Sequence, residues 1–106
     1  MELVRQLFAQ PNDLYVCDAV VAEALSSGSD EHLAVVRALI QPLEYVSTHP
    51  DAAAWAGESR RRLRRTSPRQ LGDAIIAGVA WFNDAIVVTR NPQDFEVQGV
   101  RVLAYA

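Results

Sequence analysis

A chain of 106 residues that is 50% hydrophobic and 22% charged has the composition of one small globular domain. Its formal charge of −3 argues against a general nucleic-acid coat, and no apolar run reaches the roughly 18–20 residues that span a bilayer. No signal peptide opens it and its single cysteine has no partner for an internal disulfide, so a cytoplasmic protein is expected.

ELVRQLFAQ (2–10) places Leu3, Val4, Leu7 and Phe8 together, predicting an amphipathic helix that ends at Pro11-Asn12-Asp13. LYVC (14–17) reads as a short strand. Its Cys17 reads as a buried structural thiol, since no His or Asn is placed to activate it. Asp18 suits the N-cap of a helix DAVVAEALSSG, with Gly28 as its stop. Ser29 or Asp30 caps the next helix, EHLAVVRALIQ, which ends at Pro42, and LEYVS follows as a strand. Pro50 stands at the first position of a helix predicted to run through DAAAWAGESRRRLRR to Thr66-Ser67-Pro68.

Lysine is absent, and six of the ten arginines lie in SRRRLRRTSPR (59–69). Such a stripe holds phosphates, lies solvated along a helix face or meets an acidic partner. LGDAIIAGVAWFND is the most apolar helix, with Leu71, Ile75, Val79 and Phe82 marking its expected buried side. Asp73 lies in its first turn, where a carboxylate gains from the helix dipole. AIVVT is a short strand of the buried parallel kind, residues 91–95 a turn, and GVRVLAY a last strand. Helices alternating with short apolar strands predict an α/β fold with a parallel sheet.

No GxGxxG, P-loop, CxxC, HExxH or GxSxG is present, and His32 and His49 lack partners at metal-ligand spacing. What remains is carboxylates at element ends: Glu23 among apolar neighbours, Asp73 at a helix start, and Asn91 and Asp94 after a buried strand. Singly, each has a structural reading: a solvent-facing acid, a helix-start residue, a turn cap. Jointly, strand ends and the helix starts that follow share one edge of a parallel sheet. Carboxylates converging there repel one another unless a hard dication such as Mg²⁺ or Mn²⁺ neutralises them. Thr89 and Asn91 are then placed to orient a water or the metal's hydration shell.

LGDAIIAGVAWFNDAIVVTRNPQDFEVQGVRVLAY resembles the C-terminal half of PIN-domain ribonucleases, particularly the VapC-type toxins of bacterial toxin–antitoxin pairs. The likeness is a linked series. An aspartate opens an Ala-rich helix, a short strand follows about a dozen residues on, then comes TRN-x-x-DF, then a G-V-x-V strand. CDAVVAEAL is similar to the family's earlier glutamate-bearing helix, and the match is weaker through residues 26–70. The resemblance implies a PIN-like three-layer α/β fold, a small parallel sheet flanked by helices. It implies that Glu23 and Asp73 belong to an acidic Mg²⁺ or Mn²⁺ cluster. The family's fourth acidic place falls on Asn91, with Asp94 close by and Thr89 in support. Hydrolysis of RNA phosphodiesters, block by a cognate VapB-type antitoxin and a homodimer are further implications. On this reading Arg60, Arg61, Arg64, Arg65 and Arg69 guide the RNA.

The family opens with a strand carrying an aspartate, and MELVRQLF instead looks like the helix after it. The expectation is a single PIN-like domain, 1–106, truncated at its N-terminus and without that first strand. Three explanations stand: a start upstream, a strand supplied by another chain, or an inactive remnant that still binds a partner. The rival to a nuclease is therefore a non-catalytic module whose acids are structural and whose surface serves an antitoxin-like or self-association partner.

Overall fold

The computed structural model describes residues 14–65 and 67–105, the Arg69 side chain excepted; the helix predicted over 2–10 lies outside them. In chain order the elements are β1 (Tyr15–Cys17), α1 (Asp18–Ala24), α2 (Asp30–Ile40), β2 (Glu44–Val46), α3 (Pro50–Arg62), a 3₁₀ turn (Pro68–Gln70), α4 (Leu71–Phe82), β3 (Val87–Thr89), α5 (Pro92–Glu96) and β4 (Val102–Ala104). The alternation is that of a mixed α/β domain.

Among the described residues the strand pairing is parallel. β1 pairs with β2, matching Val16 to Tyr45, and β3 pairs with β4, matching Val88 to Leu103. Parallel neighbours need a crossover between them; α1 and α2 provide one and α5 the other. Among the described residues the strands form two separate two-stranded sheets.

Two apolar clusters bind the layers together. Cys17, Ala52 and Val79 form one, and Ala77, Ala80, Val87 and Phe95 form the other, with the partly buried Ile76 packed against both. Cys17 is buried, and burial pushes its thiol pKa up, as a structural thiol requires. The predicted buried side of α4 is only partly realised. Ala74, Ala77, Gly78, Val79 and Ala80 are buried, whereas Leu71 and Phe82 are largely exposed. α4 is covered by α3 on one side and by α1, β3 and α5 on others, and its most deeply buried positions carry the small Ala74 and Ala77. Ile75 and Ile76 in its middle are partly buried against the clusters, while at its C-terminal end Trp81 stacks on Trp55 and Phe82 on His49.

Local signals explain most boundaries. Ser29 caps α2, its Oγ accepting from the His32 amide. His49 caps α3, Nδ1 accepting from the Asp51 amide at 3.0 Å, with Pro50 at the first helical position. The cap of α1 is Cys17, one residue before the predicted Asp18. α3 stops at Arg62, short of the predicted 65. Arg64 there adopts left-handed backbone (φ 56°), while the Arg65 amide donates to the Arg60 carbonyl at 2.8 Å and the Arg64 amide to the Arg61 carbonyl at 3.2 Å. That is a Schellman closure with arginine where glycine is usual. Most of residues 91–95, predicted as turn, belong to a short helix opened by Pro92 and reaching Glu96.

Candidate active site

α1, the start of α4, the end of β3 and the start of α5 surround one open pocket of about 390 Å³. Its polar lining is Glu23, Asp73, Thr89, Asn91 and Asp94, and its walls are apolar, including Val20, Ile76, Val87 and Phe95. The five non-arginine residues singled out in the sequence thus line a single pocket, although they are spread over some seventy residues of chain.

Each arrives by a different route. Asp73 is carried by the first turn of α4, half-buried. Burial, and after it the negative charges of Asp94 and Glu23, hold its carboxyl above the ordinary carboxylate range, with Arg65 acting in the opposite sense. Glu23 lines the pocket with its carboxylate against Gly72, where a Cβ would meet the Glu23 Oε1 atom. The far end of a flexible side chain would move aside for it, so Gly72 admits the carboxylate without holding it. Thr89 is buried at the strand end, and its hydroxyl oxygen accepts from the Asn91 amide at 3.0 Å. Thr89 therefore shapes the turn. The Asn91 side chain makes no capping bond, which leaves it on the pocket rim.

Asp94 is held more firmly. Arg65 donates from Nη1 to the Asp94 carbonyl at 2.9 Å and from Nη2 to Asp94 Oδ1 at 3.3 Å. Gln98 Nε2 also donates to that carbonyl, at 2.8 Å, and Gln98 Oε1 accepts from the Ser59 hydroxyl at 3.1 Å. The sequence reading missed Gly72, Ser59 and Gln98. Gly72 was detectable as the small residue beside Asp73; nothing in the chain marks the Ser59–Gln98 pair, which lies 39 positions apart.

The basic run does not act as one stripe. Arg61, Arg62 and Arg64 are exposed, Arg65 is engaged with Asp94, and Arg60 turns back to donate to the carbonyls of Arg65 (3.1 Å) and Ser67 (3.3 Å). Arg90, inside the TRN stretch, lies over the Tyr105 ring, 5.4 Å from its centroid.

The donor set is all oxygen, which suits Mg²⁺ or Mn²⁺ and not a soft metal. Asp73 is raised first by its burial and then by the nearby charges of Asp94 and Glu23, so these acids lie within electrostatic reach of one another. Among the described residues no three His, Cys, Asp or Glu side chains stand close enough to cage an ion unaided. The oxygen donors present suit the chemistry of a dication that keeps several of its waters, as Mg²⁺ does.

Comparison with known proteins bears on the family and the fold. Residues 1–99 match the PIN domain model. The tRNA(fMet)-specific endonuclease VapC of Salmonella typhimurium (strain LT2) is 35% identical over 79 residues, 73% of this chain and 60% of its own length; this chain thus spans less than two thirds of that curated relative. Among solved structures, DNA-bound VapBC from Salmonella typhimurium superposes with a TM-score of 0.75 at 26% identity, covering 98% of this chain and 84% of the other. FitAB bound to an IR36 DNA fragment superposes at 0.72 and 22% identity over 96% and 80%, a likeness of fold. With nearly its whole length matched, and the acidic pocket where α1, α4 and β3 meet, the chain belongs to the PIN domain family.

Proposed function

We propose that residues 1–106 form one domain of a VapC-type toxin, an Mg²⁺- or Mn²⁺-dependent endoribonuclease that hydrolyses RNA phosphodiester bonds. The observation that carries this reading is the pocket itself: Glu23, Asp73 and Asp94, from three separate segments, face one cleft together with Asn91 and Thr89. Acids drawn together against their mutual repulsion call for a cation. A bound Mg²⁺ or Mn²⁺ supplies a Lewis acid for a phosphoryl oxygen and lowers the pKa of a bound water. Asp73 and Glu23 are the residues that hold it. Asp94 keeps a third carboxylate at the rim, Asn91 orients water, and Thr89 sets the turn that presents Asn91. The exposed Arg61 and Arg64 take RNA phosphates. Arg60 and Arg65 act on the protein's own loop, and Arg69 belongs to the same basic run.

A VapB-type antitoxin and a second copy of the chain are the proposed protein partners, in a cytoplasmic setting. No described helix is long and apolar enough to cross a membrane.

The test is Asp73→Asn, which removes a charge and keeps the shape. Mg²⁺-dependent RNA cleavage is expected to fall on the order of a hundredfold or more, since a metal's charge stabilisation is worth several kcal/mol. Cleavage at the unaltered rate removes the metal-site assignment, whereas no Mg²⁺-dependent cleavage by the wild-type protein leaves a non-catalytic binding module as the reading.

A further inference from the structure

The basic run divides in space at Arg64. Residues 61, 62 and 64 are exposed, while the Arg65 side chain is 16% exposed and spans from the end of α3 to α5. Its guanidinium meets Asp94 twice, at the carbonyl and at Oδ1, the fork geometry for which arginine is suited. The backbone that aims it is specified twice over. Arg64 takes the left-handed conformation that an L side chain rarely adopts, and Arg60 Nε donates to the Arg65 carbonyl. The same Asp94 carbonyl is held from a second side by Gln98, itself buried and bonded to the buried Ser59 of α3. Two side chains of the α3 region, one directly and one through Gln98, thus converge on a single residue of the acidic pocket. A solvated basic face requires none of this.

We propose that Arg65 is a positioning residue for the pocket: by clamping the carbonyl and carboxylate of Asp94 it fixes that acid beside Asp73 and Glu23. The inference rests on the metal-site reading above and deepens it. It moves Arg65 from the RNA surface to the interior support of the site.

Mn²⁺ binding to the intact protein, followed by calorimetry, tests it. Arg65→Gln is expected to weaken binding about 10–100-fold, the range for residues that orient metal ligands. Arg65→Lys should restore part of it, because an ammonium keeps the charge and loses the fork. Arg37→Gln, on α2, should leave it unchanged. On an Asp94→Asn background Arg65→Gln should add nothing, because the two act through one carboxylate. Unchanged or tighter binding by Arg65→Gln, or its full effect on top of Asp94→Asn, overturns the proposal. Should Arg65→Gln fail to fold, Arg65→Lys is read against wild type: weaker binding supports the proposal and equal binding overturns it. A wild-type protein that binds no Mn²⁺ defeats the metal reading instead. Positioning is then decided by amide hydrogen exchange over residues 94–98. Faster exchange in the Arg65 variant than in Arg37→Gln supports it, and equal exchange overturns it.

Discussion

Asp18, at the first position of α1, accepts hydrogen bonds from the Ala19 amide (2.9 Å), the Thr48 amide (3.1 Å) and the Thr48 hydroxyl (2.5 Å). The Thr48 hydroxyl foremost, aided by the amides and opposed by partial burial, holds its carboxyl below the ordinary carboxylate range. A carboxylate with a depressed folded pKa adds stability that is complete above the unfolded value and is lost as pH falls through the folded one. Asp18→Ala should therefore cost about 1–2 kcal/mol at neutral pH, the scale of hydrogen bonds to a partly exposed charged group. The deficit should shrink on acidification below about pH 4. Urea unfolding of both proteins at pH 7 and pH 3 checks this, and a pH-independent difference would assign the loss to packing instead. That Asp18 stands at a helix start was legible from its neighbours. That its partner is Thr48, 30 positions away, was not, because the pairing exists only once β1 and β2 lie side by side.

At the level of elements, the seam between α3 and α4 is built from Ala52, Ala56, Ala77 and Gly78, where backbones approach closely. A Cβ on Gly78 would run into the Ala52 carbonyl, which cannot swing away as a side chain does. Gly78→Ala should destabilise by about 1–3 kcal/mol, the cost of overpacking. Gly57, in the exposed middle of α3, has nothing within 4 Å of such a Cβ, so Gly57→Ala should gain up to about 1 kcal/mol from helix propensity. Opposite shifts in thermal midpoint confirm the pair; equal shifts would mean that the seam is looser than described. Helix existence was plain from periodicity and capping signals. The choice of Ala and Gly over Leu71 and Phe82 as the buried set was not, since it depends on how many neighbours α4 acquires.

Across the whole molecule a net charge of −3 coexists with exposed arginines at 61 and 64. Single-stranded RNA binding releases counterions at about 0.7 in log–log salt slope per phosphate contact. Arg61→Gln with Arg64→Gln should therefore reduce that slope by about 1.4. A slope equal to wild type would remove both residues from the RNA surface.

By itself the sequence determined the class of fold, the residue types at the site and the family resemblance, because periodicity, caps and the TRN-x-x-DF spacing are local properties of the chain. Only the tertiary structure decided that residues 23, 73, 89, 91 and 94 share a pocket, that Glu23 lies against Gly72, and that Arg65 faces Asp94. Those facts depend on how helices cross and on one left-handed arginine, and no local pattern encodes a crossing. The Arg run illustrates the division: its charge is written in the chain, and its direction is set by the turn at Arg64.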